Sequence, residues 1–177
     1  RGLGDVYKRQ DFAGLKAVNE DIIAWLRVGA IDISYPVTQG KDNDYYLHNT
    51  FENQPNIAGC IFMDHGCKKD FSDPNTIIYG HSVAQSDAMF TQLAFFEDQS
   101  FFESHRYVYL LTPKQNYRCE IMALTKTKSD SFHYQIGFAP NHYWTEYLDQ
   151  VEQNLIDGTA IDVPSNTRGY IEKYWKW

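Results

Sequence analysis

The sequence predicts a mainly β fold: a mostly antiparallel barrel with helices at its start and one helical insertion between late strands. Three observations lead there. Runs of β-branched and aromatic residues recur, at Ile31–Val37, Cys60–Asp64, Ile77–Tyr79 and Tyr107–Thr112. Most are separated by short links rich in Gly, Pro, Asn and Asp. Too few helical stretches fall between successive strands for a doubly wound parallel sheet.

Composition sets the limits. A chain of 177 residues with 43% hydrophobic and 16% aromatic residues suits one globular domain with a sizeable core. A formal net charge of −7 excludes a basic nucleic-acid surface, so no nucleic-acid partner is expected. No run of about 18 apolar residues is present to cross a membrane. The first residues lack an apolar signal-peptide segment.

Arg1 to Gln10 shows no apolar periodicity and is expected to be a non-native tail. Leu15, Val18, Ile22, Ile23 and Leu26 then recur at helical spacing, with Asn19 expected to cap a second helical turn. Ile31 to Val37 alternates as a strand, and Pro36 places it at a sheet edge or a bend. Asp42 to Asn49 reads as a loop or short helical turn. Cys60 to Asp64 is a strand reached through Gly59, and His65 to Pro74 a polar loop. Ser86 to Phe102 reads as two short helices. Tyr107 to Thr112 and Tyr117 to Lys128 form a strand pair joined by the turn Pro113 to Asn116. Tyr143, Trp144, Tyr147, Leu148 and Val151 share one face of a helix over Asn141 to Asn154.

The run Asn75 to Ser82 carries the most chemistry. Ile77, Ile78 and Tyr79 form a short buried strand, punctuated by Pro74-Asn75 before and Gly80 after. Gly80 lets the backbone turn, which delivers His81 to the strand's mouth. A histidine there titrates near neutral pH and suits general acid–base work. Tyr79 and Ser82 flank it and are the candidate substrate-binding residues. His48 suits a structural hydrogen bond. His65, His105, His133 and His142 read as solvated, with no spacing for a metal site.

Cys60, Cys67 and Cys119 fit no zinc pattern, and an odd count leaves one unpaired in any disulfide scheme. Cys60 and Cys67 are near enough in sequence to be bridged, while three free, mostly buried thiols is the plainer reading. Cys67 lies in a polar loop beside Lys68 and Lys69, which would lower a thiol pKa. A flexible loop is nevertheless a poor platform for a nucleophile.

Several blocks, in order, resemble a known family. They are Val18 to Asp21 with Ala24-Trp25-Leu26, Ile31 to Val37, Gly40 to His48, Gly59 to Asp64, and Phe71-Ser72-Asp73 leading into Asn75 to Ser82. Met89-Phe90, Phe101-Phe102 and Tyr109 to Pro113 complete them. Together they resemble the class B sortases, cysteine transpeptidases that attach surface proteins to Gram-positive cell envelopes. The helix at Asn141 to Asn154 falls where class B members carry an insertion. The resemblance covers Asp11 to Pro164.

That resemblance implies an eight-stranded sortase barrel and a catalytic trio of histidine, cysteine and arginine. It implies no cofactor. The histidine maps onto His81. The cysteine's strand, T-L-S-T-C in pattern, and the arginine after it have no counterpart in this sequence. Arg168 precedes the place where that cysteine belongs and does not inherit the arginine's role. The expected organisation is a sortase-like domain over 11–168 lacking its last strands, followed by an aberrant or truncated tail over 169–177.

The implied partners are a sorting-signal peptide and, as acceptor, a cell-wall peptide or pilin amine. The implied location is the outer face of the membrane, through an anchor not seen in this stretch. Without the nucleophilic thiol these residues are expected to be inactive. The rival expectations are a non-catalytic peptide-binding or scaffolding barrel, and a globular domain that shares only the fold.

Overall fold

The computed structural model describes residues 10–83, 85–121, 124, 132–137 and 142–154. The expected tail over 169–177, most of the one over 1–10, and the late part of the Tyr117–Lys128 strand lie outside them. Among the described residues the sequence builds one six-stranded sheet and three α-helices.

Asp11 caps the first helix, α1 (Phe12–Val18), by accepting the Gly14 N–H on its carboxylate at 3.0 Å. The helix then stops, contrary to the periodicity. Asn19 is its C-cap, not the N-cap of a further turn, and Ile22–Val28 is the strand β1. Ile22, Ile23, Leu26 and Val28 fit a 3.6-residue period, yet in β1 the alternate residues Ile22, Ala24, Leu26 and Val28 are buried while Trp25 and Arg27 between them are half-buried, so the period of two prevails. The β-branched Ile22, Ile23 and Val28 favour the extended form.

β1 pairs antiparallel with β2 (Ile33–Thr38) from Val28↔Ile33 to Ile22↔Thr38, with an irregularity between Ile22 and Ala24. β3 (Ile61–Met63) runs parallel to β2, starting from Val37↔Ile61, so the sheet is mixed. β2 is therefore internal, which corrects the edge-strand expectation. Pro36 is tolerated because it precedes the first β3 partner, so its missing N–H removes no bond from that ladder. β4 (Ile78–Tyr79) pairs antiparallel with β3. On the far side β5 (Tyr107–Leu111) pairs with β1, and β6 (Asn116–Glu120) follows a turn closed by the Thr112 N–H on the Gln115 carbonyl. The order is β4-β3-β2-β1-β5-β6, and β4 and β6 are not paired with each other among the described residues. The described strands thus form a mainly β, mixed sheet in the form of an open barrel.

The chain divides into two compact units. The first comprises Arg1–His65, Ile78–Ala94 and Tyr107–Cys119, and holds all of the sheet but Glu120. Its interior is lined by Ile22, Ala24, Ile33, Val37, Ile61, Phe62, Met63 and Leu111. Tyr46, in the 3-10 turn Tyr45–Leu47, is buried with its hydroxyl satisfied. It donates to Asp21 Oδ2 at 2.9 Å and accepts from Asn19 Nδ2 at 2.8 Å. Burial raises its pKa far above the ordinary tyrosine value.

The second unit comprises Gly66–Ile77, Phe95–Arg106 and Glu120–Trp177. Asp98 caps the helix α2 (Gln99–Ser104), whose Phe102 is fully buried against Phe96. Arg106 lies over the Phe102 ring at 5.0 Å and pairs with Glu120 at 3.3 Å. The helix α3 (His142–Asn154) buries Tyr147, Leu148 and Val151, with Trp144 and Phe132 packed on them. Tyr143 is exposed, so it leaves the face assigned to it by spacing.

Gly59 has φ +56°, and a Cβ there would lie 2.3 Å from the Tyr46 carbonyl oxygen. Gly59→Ala therefore costs at least about 2 kcal/mol, read as a lowered Tm or urea midpoint. Gly29→Ala, with nothing within 4 Å of the added methyl, is the control and stays within about 0.5 kcal/mol of the parent.

Candidate active site

His81 is placed by a strand of two residues. β4 holds its register through Phe62↔Tyr79 and Met63↔Ile78 alone, and both of its residues are half-buried rather than enclosed as expected. The Tyr79 ring packs on Phe62 with centroids 5.1 Å apart. Gly80 follows, and its φ is not in the left-handed region. Its role is close approach: a Cβ would lie 2.4 Å from Ile61 Cδ1 and 2.6 Å from Phe90 Cδ2. The turn freedom expected of this glycine is thus replaced by a packing requirement, as the strand end is pressed onto β3 and Phe90.

His81 is half-buried and Ser82 exposed. The backbone that carries them is pinned. The His81 carbonyl accepts the Phe90 N–H at 2.9 Å, and Ser82 bridges to Met89. Thr91 Oγ1 accepts the Val83 N–H at 2.8 Å. Residues 81–83 are therefore tied to residues 89–91 across the neck of a loop. Met89 and Gln85 sit in it at φ 53° and 62°, and the Met89 N–H is held by the Tyr35 hydroxyl at 3.1 Å.

Tyr79 turns its hydroxyl to Asp64, donating to Oδ2 at 2.9 Å. The same oxygen accepts Asn43 Nδ2 at 2.7 Å, and the Asp64 carbonyl accepts Gln39 Nε2 at 2.8 Å. Asp64 is only 6% exposed. His65 Nδ1 stands 3.7 Å from its Oδ1, and the His65 N–H donates to Asn43 Oδ1 at 2.9 Å. Neither Asp64 nor Asn43 stood out in the sequence. The available signal was a carboxylate closing an apolar strand, a placement that demands hydrogen-bond partners.

The other histidines serve elsewhere. His48 is exposed, 3.9 Å from Asp44, and His105 Nδ1 lies 3.0 Å from the Phe101 carbonyl. The side chains of His133 and His142 lie outside the described residues. No group of three or more His, Cys, Asp or Glu among the described residues is arranged to hold a metal.

All three cysteines are free. Burial pushes the Cys60 thiol up to about 11, against a smaller lowering by Thr38 Oγ1 at 3.3 Å. Burial alone pushes Cys119 to about 11. Cys67 lies in a loop and is buried, in keeping with the reading of three mostly buried thiols. The Lys68 N–H donates to Asp73 at 2.6 Å and the Lys68 ammonium pairs with Asp73 at 3.4 Å, so the loop folds on itself.

No protein-family model matches the chain. Among curated proteins it is 33% identical to sortase B of Listeria monocytogenes over 160 residues, covering 90% of this chain. The chain spans about 65% of the length of the curated relatives it matches. Clostridium perfringens sortase B aligns with a TM-score of 0.77 at 29% identity, over 88% of this chain and 82% of that one. A Staphylococcus aureus sortase B–substrate complex aligns with a TM-score of 0.77 at 28% identity, over 87% of this chain and 68% of that one. In both sequence and sheet the chain is thus similar to the class B sortases.

Proposed function

We propose that this chain carries the acid–base histidine of a class B sortase, a transpeptidase that cleaves a sorting signal after threonine. In that reaction a cysteine thiolate attacks the threonine carbonyl, and the bond to the leaving amine breaks to give a thioester. His81 gives its proton to the leaving amine. It then takes one from the incoming amine of a cell-wall peptide or pilin lysine as that amine attacks the thioester carbonyl. The new amide forms, the C–S bond breaks, and the cysteine thiolate is released beside a protonated histidine. Tyr79 and Ser82 are the residues offered for the peptide. The corresponding location is the outer face of the cell envelope.

The observation that carries this reading is the placement of His81: half-buried, two residues past the end of β4, on a backbone fixed from both sides. A general acid–base needs that combination of access and fixed position. The substrate complex of the S. aureus relative supports substrate binding on this fold.

We further propose that these 177 residues by themselves do not transfer acyl groups. A thiol with a pKa of about 11 is thiolate to only about one part in ten thousand at pH 7, which disarms Cys60 and Cys119. Cys67 is buried. Iodoacetamide should therefore label Cys60 and Cys119 slowly at pH 7.5, and about tenfold faster per pH unit towards pH 11. Fast labelling of either one at neutral pH, mapped by mass spectrometry, contradicts this.

The function is tested by joining residues 11–164 to the remaining C-terminal segment of the Listeria relative. Hydroxylamine-dependent cleavage of a sorting-signal peptide is expected from the chimera, with His81→Ala lowering kcat about 10²–10⁴-fold. A folded chimera that is inert, or indifferent to His81→Ala, rejects the reading. Gly80→Ala should lower the chimera's kcat at least about tenfold, because the added methyl must displace the strand end from Ile61 and Phe90.

A further inference from the structure

We infer that Asp64 is the positioning residue for His81, acting through Tyr79. The inference rests on the reading of His81 as the acid–base group, and it concerns what holds that ring where it works.

A two-residue strand is a weak support. Two cross-strand pairs define β4, and a one-residue slip of so short a ladder would turn its side chains to the opposite face. Something beyond the ladder must fix its register. Asp64 meets that need because it is itself fixed. Its carboxylate is nearly buried at the end of β3, its carbonyl is held by Gln39 Nε2, and its Oδ2 is held by Asn43. The bond from Tyr79 to the same oxygen ties the last residue of β4 to this node at 2.9 Å. A hydrogen bond to a nearly buried oxygen that a second donor already holds has little competition from water and is directional.

The geometry discriminates between registers. Phe62 stands opposite Tyr79 in the ladder, so Asp64 lies two residues further along β3. The Tyr79 hydroxyl reaches it diagonally while its ring packs on Phe62. In a slipped register the hydroxyl would lose the carboxylate and leave a buried charge one donor short. Only Gly80 stands between Tyr79 and His81, and Gly80 is wedged between Ile61 and Phe90. The position of the Tyr79 Cα is thereby passed to the His81 Cα with little slack.

The test is NMR on the full 177-residue chain with ¹³C-labelled histidine, the His81 ring cross-peak being assigned by its loss in His81→Gln. Tyr79→Phe and Asp64→Ala should each move that peak by more than its linewidth. The double variant should move it no further than the larger single effect. Asp64→Asn keeps an acceptor for the Tyr79 hydroxyl and should leave the peak in place, while the His105 peak stays put throughout. Tyr79→Phe removes one hydroxyl only, so it carries the test if Asp64→Ala unfolds. A His81 peak within its linewidth in Tyr79→Phe, with an unchanged circular dichroism spectrum, overturns the inference. So does a peak displaced equally by Asp64→Asn and Asp64→Ala. The readout needs no catalysis: an inert chimera beside a displaced peak rejects the proposed function alone, and an active chimera beside an unmoved peak rejects the positioning role alone.

Discussion

The burial of Tyr46 is the constraint on which the first unit depends. Its ring reaches the core, and its hydroxyl is held by Asn19 and Asp21, two of the three polar residues between α1 and β1. Its carbonyl accepts the Cys60 N–H at 3.1 Å and stands so close to Gly59 that no side chain fits there. One residue thus fixes where β1 begins and where β3 begins. β3 in turn carries β4, and β4 carries His81. A side chain with both an apolar ring and a polar tip is suited to this, because it contributes core volume without leaving an unpaired donor inside.

Local punctuation made some of the structure legible. Pro74-Asn75 and Gly80 bracket a short β-branched run, so the strand and the histidine beyond it could be read without tertiary information. Gly59 before Cys60 and the turn from Pro113 were legible for the same reason. The strand β1 was not. Leu15, Val18, Ile22, Ile23 and Leu26 satisfy a helical period, and the break depends on Asn19 turning inward to Tyr46 and Phe51, 27 and 32 residues away. No window of local sequence contains that information. Pro36 misled in the same manner: its place in an internal strand depends on how far β3 extends beside it. The reason for Gly80 was hidden too, since a close approach by Ile61 and Phe90 leaves no trace in the residues next to it.

The candidate site divides along the same line. His81 is a local feature of one strand end. Asp64 is a meeting point of residues 39, 43, 64 and 79, and its part emerges only once four segments have been brought together. The family likeness supplies a reaction in which a histidine of this kind works beside a cysteine. The thiols of this chain argue against assigning that cysteine to any of them. Desolvation lifts Cys60 and Cys119 well above neutrality, and a self-closed loop covers Cys67. Fold and candidate acid–base residue are therefore separable from the nucleophile.

The loop after His81 shows how the ring's backbone is kept still. Gln85 and Met89 occupy left-handed backbone that side chains ordinarily avoid, each at a cost of order 1 kcal/mol. Such a loop would open unless held. It is held at its neck by the Phe90–His81 bond, by the Ser82–Met89 bridge and by Thr91 on Val83, while the strained Met89 N–H is itself paired with Tyr35. Those bonds offset the strain and couple it to the strand end. A movement of His81 along β4 would have to break the neck of the loop and expel Gly80 from between Ile61 and Phe90 together. The Cα of His81 is thus not free to travel along β4 while the neck of the loop and the seat of Gly80 stay intact.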